Sequence, residues 1–198
     1  MRVLIKQVRA VLYVGTLHAL VLMFAGCASP RLSLYTLESP SPLATERPLS
    51  PHSVVIEVRR VVIPDALDTQ DIVVRNGNQF DRSSTGRWAT RLSMAITNYL
   101  TGKLAARRPD ALVTDQTQVG TPNDRLYIAI STLDITSAGQ AALEADWTIV
   151  PRNPSLPDRR QRGRFTTQGP VATDHDVVVL LQALLKQLAD AIDIASLR

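Results

Sequence analysis

Few residues in this chain could carry out chemistry, and their spacing argues against catalysis. Cys27 is the one cysteine, and the histidines are His18, His52 and His175. The run Asp174-His175-Asp176 holds metal-ligand types, but consecutive residues on a helix point in different directions and cannot converge on one ion. There is no GxSxG elbow, phosphate loop, HExxH motif or second cysteine. We therefore predict no catalytic residues, no metal site and no cofactor.

Cys27 stands in a context that defines the chemistry of its thiol. Residues 1–9 carry three cations and no acid, and residues 10–24 are almost wholly apolar, which is the layout of a secretory signal. The sequence Phe24-Ala-Gly-Cys27 resembles a bacterial lipobox, with Phe24 where Leu is commonest. The resemblance implies cleavage between Gly26 and Cys27 and attachment of acyl chains such as palmitate to Cys27. Each buried CH2 adds roughly 0.8 kcal/mol to membrane binding, so Cys27 is the expected lipid anchor.

Two other interpretations of the N-terminal segment stay open. An uncleaved membrane helix would need roughly 20 apolar residues, and the apolar run reaches that length only if it is extended through Cys27. A buried free thiol is the second alternative. The sequence therefore predicts a lipoprotein signal peptide over residues 1–26, with these two alternatives beside it.

The positive charge lies mainly in this leader. The formal net charge is +4, but three of the 22 Lys and Arg residues precede Cys27, which leaves 19 against 18 Asp and Glu. A mature chain of balanced charge gives no support for binding nucleic acid. Without a second cysteine it also has no internal disulfide, so the fold rests on its core. The remaining length suits one domain, which we place at residues 54–198.

Residues 27–53 are predicted to form the lipid anchor and a Pro/Ser-rich tether. Five of the 12 prolines lie between Ala28 and Ser53, and proline favours extended backbone. Fully extended, this stretch would reach about 80 Å, at roughly 3.1 Å per residue. Leu32 to Leu37 reads as a short strand within it.

Hydrophobic periodicity predicts an α+β domain. Strands are expected at residues 54–59 with Glu57 on the exposed face, at 71–75 with a hairpin turn at Asn76-Gly77, and at 126–135 with both faces apolar. Further strands are expected at residues 143–149 and 164–168, and a proline- and arginine-rich loop is expected at 151–164. Helical spacing starts at Trp88 and continues to Leu104, and a capping box at Thr173 and Asp176 opens a second helix. The pattern indicates one domain with two amphipathic helices packed on a largely antiparallel sheet.

Two features have both a structural and a functional interpretation. Trp88 and Trp147 fall on apolar sides of their elements and are expected in the core, with partner contact as the alternative. Arg159, Arg160, Arg162 and Arg164 stand beside a single acid, Asp158. They are expected to form a solvated hairpin tip, and the functional alternative is contact with anionic headgroups or an acidic partner surface.

The order of these features resembles one family. The features stand in a definite order along the chain. They are the lipobox, the strand at Tyr35-Thr-Leu37, the segment Val61-Val-Ile-Pro64, the segment Gln70 to Arg75, and Arg87-Trp88 with its helix, followed by the strands and helix described above. This arrangement is similar to the ABC-type transport auxiliary lipoprotein component, which includes paraquat-inducible protein C lipoproteins. The resemblance covers nearly the whole mature chain.

The resemblance implies a non-enzymatic accessory of an intermembrane lipid or organic-solvent transport system built on mammalian-cell-entry (MCE) proteins. Its expected partners are an MCE-domain protein, the ABC transporter subunits and the membrane through Cys27. Contact surfaces would be a strand edge and the arginine segment. Phospholipid binding by the domain and assembly as a homo-oligomer stay open.

The sequence also predicts a membrane location and leaves alternative functions open. Ala28 and Ser29 follow Cys27 in place of the Asp that retains enterobacterial lipoproteins at the inner membrane, so the outer membrane is expected, facing the periplasm. The alternative function is a structural envelope lipoprotein that binds peptidoglycan or another envelope complex. An envelope hydrolase would need a site assembled from scattered Asp, Ser and Arg residues.

Overall fold

The computed structural model describes residues 31–37, 50, 52–117 and 120–194. Gly26, Cys27 and most of the predicted tether lie outside the described residues. No helix in the described ranges has the length and apolarity to cross a membrane. In chain order the elements are β1 (Ser33–Tyr35), β2 (Val55–Val58), a 3-10 turn (Asp65–Leu67), β3 (Asp71–Asn76), β4 (Gln79–Trp88), α1 (Leu92–Arg107), β5 (Leu112–Thr114), β6 (Asp124–Ile135), β7 (Gln140–Pro151), β8 (Arg159–Gln168) and α2 (Asp174–Ala191).

The strands form two mixed sheets, and the predicted α+β class is confirmed. One sheet has the order β1-β4-β3 and the other the order β5-β2-β6-β7-β8. The long pairings, β6 with β7 and β7 with β8, are antiparallel, as is β3 with β4. Three shorter pairings are parallel, namely β1 with β4, β2 with β5 and β2 with β6. Parallel pairing joins segments far apart in the chain, so hairpin signals could not reveal it.

The β6–β7 hairpin is buried on one face only. Leu126, Ile128 and Ile130 point into the core, whereas Tyr127 and Ala129 between them are exposed. The apolar residues of this segment predicted a central strand, and β6 does lie between β2 and β7 in the five-stranded sheet, but one of its faces is open to solvent. Tyr and Ala are common in buried strands, so residue type alone did not reveal the solvent-facing side.

Helix α2 begins where the sequence predicts. The Thr173 hydroxyl accepts a hydrogen bond from the Asp176 amide at 3.2 Å, and the Asp176 carboxylate accepts one from the Thr173 amide at 2.9 Å, which completes the capping box. Its apolar face is fully buried at Leu181, Leu184 and Leu185. This helix packs on β6, β7 and β8 and against α1, so it supplies much of the cover for the buried face of the hairpin.

Helix α1 begins at Leu92, and the prediction that its spacing starts at Trp88 is wrong. Trp88 is the last residue of β4, where it pairs with Tyr35 of β1. The helix is capped from a distance, because the Asp68 carboxylate accepts a hydrogen bond from the Ser93 amide at 3.1 Å. A cap supplied by a residue 25 positions earlier leaves no local signal at the start of the helix.

Two hairpin turns use glycines with positive φ. Gly77 follows β3 with φ +60°, as the Asn76-Gly77 signal predicts, and Gly139 joins β6 to β7 with φ +79°. A Cβ atom on Gly77 would meet nothing within 4 Å. A Cβ on Gly139 would collide with the backbone carbonyl oxygen of Gly169. The Gly169 backbone cannot shift freely, because its amide donates a hydrogen bond to the Gly139 carbonyl at 3.0 Å.

These two turns provide a matched prediction. Gly77→Ala is expected to lower the free energy of unfolding by about 1 kcal/mol, since an L-residue in this region costs roughly 1–2 kcal/mol. Gly139→Ala carries the same strain plus the collision, and overpacking adds roughly 1–3 kcal/mol. Urea unfolding followed by circular dichroism measures both variants. Equal losses would show that the hairpin end relaxes and that Gly139 is needed only for its φ angle.

Candidate functional site

The strongest candidate for a functional surface is the side of the five-stranded sheet that faces away from both helices. We call it the open face. Register places cross-strand neighbours on the same face, and this fixes its members. They are Arg125, Tyr127 and Ala129 on β6, Glu144, Asp146 and Thr148 on β7, and Arg160, Arg162 and Arg164 on β8.

Ion pairs run across this open face. Arg162 donates to both carboxylate oxygens of Asp146, at 2.6 and 3.1 Å. This fork lowers the pKa of the Asp146 carboxyl through the hydrogen bonds from Arg162. Arg164 lies 3.3 Å from Glu144, and Arg160 lies 3.0 Å from Asp158. Each of these three arginines of β8 thus has a carboxylate partner, Glu144 or Asp146 on β7 or Asp158 just before β8.

The arginine segment is a strand, so the prediction of a hairpin tip is wrong. Residues 159–163 extend β8 beyond the predicted start at Arg164, because they pair with residues 145–149 of β7. Arg160, Arg162 and Arg164 alternate with other residues at a spacing of two, which is the strand period. This spacing, matched against Glu144, Asp146 and Thr148 in β7, is the signal that could have revealed the pairing.

Arg159 is separated from the other three arginines. It pairs with the buried position Ile149 in the register, on the opposite face from Arg160. There it acts on Asp124, a buried residue at the start of β6. Burial raises the pKa of the Asp124 carboxyl, and the positive charges of Arg159 and Arg108 oppose that rise. The structure therefore brings three of the four predicted arginines together and assigns Arg159 to an interior electrostatic role.

Strand β8 is also an edge of the five-stranded sheet. Near its C-terminal end, the Gln187 side-chain amide donates to the Thr166 carbonyl at 3.2 Å. An edge strand presents backbone groups that another strand can pair with, and charged side chains such as arginine restrain unwanted pairing. The strand edge predicted as a contact surface therefore coincides with the arginine segment.

Glu57 closes one margin of the open face. It is the Cα partner of Arg125 and is buried, although the period of β2 predicted it on an exposed face. Arg59 donates to Glu57 at 2.6 Å and Arg125 donates at 3.3 Å. The hydrogen bond from Arg59, assisted by Arg125, lowers the pKa of the Glu57 carboxyl against the opposing effect of burial. The two arginine side chains cover the carboxylate, which is why it is buried.

The two tryptophans pack in the core, as predicted. Trp88 and Trp147 are 2% and 4% exposed. The Trp147 indole nitrogen donates to the Gln161 side chain at 2.9 Å, and its ring lies over Gly163, where a Cβ would meet it at 3.2 Å. The glycine in β8 therefore makes room for the aromatic ring, and neither tryptophan is available as a surface anchor.

Two open grooves of similar volume lie among the described residues. A groove of about 520 Å³ beside α1 is open to solvent and is lined by Arg60, Met94 and Asn98 among others. A second groove of about 520 Å³ lies between the β3–β4 hairpin and the start of α2. Within the described ranges, no group of three or more His, Cys, Asp or Glu residues could hold a metal ion.

Comparison with known proteins gives a family and a fold. Residues 35–193 match the model of a family described as the ABC-type transport auxiliary lipoprotein component. No curated protein sequence matches the chain. The crystal structure of an uncharacterized protein aligns with a TM-score of 0.64 and 18% identity, over 81% of this chain and 95% of that chain. A crystal structure of a protein from Xanthomonas campestris aligns with a TM-score of 0.55 and 13% identity, over 79% of this chain and 90% of that chain. At such identities these structures show a shared fold.

The buried Glu57 predicts a pH-dependent stability. Because its pKa is lowered in the folded state, its contribution is present above the unfolded pKa and is lost as pH falls through the folded pKa. At pH 7, Glu57→Gln is expected to cost about 1–2 kcal/mol, the range of hydrogen bonds to a charged group with partly exposed partners.

Urea titrations of wild type and Glu57→Gln between neutral and acid pH measure this effect, and the difference between them should shrink as the carboxyl protonates. Glu144→Gln is the matched control, because its pair with Arg164 is exposed and worth little. A difference that stays constant across the pH range would contradict the assigned role of the Glu57 charge.

Proposed function

Because the chain belongs to the ABC-type transport auxiliary lipoprotein component family, we propose that it is the non-enzymatic, lipid-anchored accessory of an ABC transport system built on MCE proteins. The observation that carries the proposal is the family match, which spans residues 35–193 and so includes almost every described residue. The system would move phospholipids or organic solvents between the membranes and so contribute to envelope integrity.

The anchor in this proposal is Cys27. Its residue type, the apolar run before it and the small pair Ala25-Gly26 support cleavage at Gly26 and acylation of Cys27. Two or three acyl chains hold a protein on a membrane, whereas one chain gives only marginal binding. Ala28 and Ser29 after the cysteine favour the outer membrane, with the domain facing the periplasm.

The open face is the proposed contact with the MCE-domain partner. Its ion pairs are solvent-exposed, and exposed pairs are worth little to folding, so Arg162 and Arg164 can exchange their partners for groups on another protein at small cost. Because the three arginines of β8 already have carboxylate partners, their attraction to anionic headgroups is weakened, which favours a protein as the occupant. Apart from the Thr166 carbonyl, which is bonded to Gln187, the edge of β8 adds backbone groups that a strand of the partner could pair with.

The interior favours an accessory role over carriage of lipid by the domain itself. The apolar cavity among Leu67, Trp88, Leu133 and Leu181 has a volume of about 30 Å³. Typical ligand pockets have roughly 300–1,000 Å³, so an acyl chain does not fit in this cavity, and the two grooves of about 520 Å³ are open to solvent rather than enclosed. The transported molecule would therefore travel through the partner assembly while this protein holds or docks one end of it.

A pull-down from detergent-solubilised envelopes tests the proposal. Wild type and Cys27→Ala are compared, with mass spectrometry of the bound proteins and of the N-terminal peptide. Wild type is expected to carry acyl chains on Cys27 and to recover an MCE-domain protein with its ABC partners. Cys27→Ala is expected to lose the acylation and to recover much less of the partner, because the anchor concentrates the domain at the membrane.

Two outcomes would overturn different parts of the proposal. Recovery of peptidoglycan-associated proteins without any transport component would favour a structural envelope lipoprotein. An N-terminal peptide without acyl chains on Cys27 in the wild type would show that another element holds the protein at the membrane.

A further inference from the structure

Strand β1 exposes apolar side chains next to the proposed lipid anchor. Leu32 and Leu34 are 52% and 65% exposed. Tyr35 packs against the core and Leu37 is buried in it, so the side chains of this segment divide between the interior and solvent. Two exposed leucines two positions apart form a small apolar patch, which is more informative than a single exposed side chain.

The position of β1 is fixed by the folded body. It pairs in parallel with residues 86–88 of β4, and the Tyr35 carbonyl accepts a hydrogen bond from the Ala89 amide at 2.8 Å. The Leu37 carbonyl accepts another from the Gln182 side chain of α2, also at 2.8 Å. Because these hydrogen bonds hold Tyr35 and Leu37 in place, Leu34 faces outward. The compact unit of the fold begins at Leu32.

The chain between Cys27 and Leu32 is short. These two residues are five positions apart, and fully extended backbone covers at most about 3.6 Å per residue. The Leu32 Cα can therefore lie no more than about 18 Å from the Cys27 Cα. An acylated Cys27 at the bilayer surface would hold β1 close to the lipid headgroups, in contrast to the long reach that a free tether up to Ser53 would allow.

Cations surround these leucines. Leu34 is the register partner of Arg87, and Arg87 is the partner of Asp71, so the three side chains share one face of the small sheet. Asp71 is shared by two arginines, with Arg82 at 3.2 Å and Arg87 at 3.1 Å. Arg31, which is also exposed, directly precedes Leu32. The face thus combines protruding apolar groups with an excess of positive charge.

We propose that this face of β1 and β4, formed by Leu32, Leu34, Arg82 and Arg87, rests on the membrane that holds the anchor. The leucines enter the boundary between headgroups and acyl chains, and the arginines contact anionic phospholipid headgroups. The proposal rests on acylation of Cys27, and it adds that the domain has one defined orientation on the bilayer. The partner-binding surface is then presented in a fixed direction.

The test uses the full acylated protein in vesicles. Since acylation consumes the Cys27 thiol, a cysteine introduced by Leu34→Cys is the one site for an environment-sensitive fluorophore. The matched control is Leu156→Cys, at another exposed leucine, between β7 and β8. Both are reconstituted into phosphatidylcholine vesicles with or without phosphatidylglycerol, after mass spectrometry has verified the lipid on Cys27. Nitroxide-labelled lipid and aqueous iodide serve as the two quenchers.

The expected result is that nitroxide lipid quenches the label at position 34 several-fold more than the label at position 156, and that iodide shows the reverse order. Omission of phosphatidylglycerol should reduce the lipid quenching at position 34, and no change would overturn the role of the arginines. Equal quenching at both positions would overturn membrane docking. Leu32→Cys repeats the measurement, so the result does not depend on one variant.

No transport protein is present in these vesicles, so failure of this inference is distinguishable from failure of the transport function. A protein without lipid on Cys27 would overturn this inference together with the proposed anchor, even if a transport partner is recovered from envelopes.

Discussion

Burial of one face of the β6–β7 hairpin beneath helix α2 is the constraint on which the rest of this structure depends. Because the chain has a single cysteine, it cannot form an internal disulfide, so burial of residues such as Leu126, Ile128 and Leu143 and the packing of α2 on these strands must hold the body together. Both helices pack on the same side, because α1 and α2 also contact each other. The opposite face of the hairpin is consequently left open to solvent, and its side chains are free to serve another purpose.

Strand pairing determines which charged side chains meet on the open face. Acids on β7 stand opposite arginines on β8, so the charges satisfy one another while the protein is alone. Exposed pairs of this kind contribute little to stability, and they can be exchanged for the charges of a partner. The small sheet differs from the open face, since it presents exposed leucines together with Arg82 and Arg87. Family membership, the open face and the short link to Cys27 therefore fit an accessory that is held at a membrane and docks a larger assembly.

Local signals predicted much of this fold. The capping box at Thr173, the apolar spacing of α2 and the Asn76-Gly77 turn each involve residues close in sequence, and each is confirmed. The errors have one origin, namely partners far away in the chain. Asp68 caps α1, Tyr35 pairs with Trp88 in a strand, Arg125 binds Glu57 from the neighbouring strand, and β7 pairs with the arginine segment as a strand. The candidate arginines were found from composition, but their acidic neighbours and the isolation of Arg159 depend on register, which sequence spacing did not establish.

Photo-crosslinking in living cells tests the central claim, that the open face contacts the transport partner, most directly. A benzophenone derivative of phenylalanine replaces Tyr127, which is exposed on the open face, or Val179, which is exposed on α2 and serves as the control. The account predicts that the probe at position 127 forms an adduct containing an MCE-domain protein and that the probe at position 179 does not. An adduct with that protein from position 179 alone, or none from position 127 in a correctly anchored protein, would contradict it.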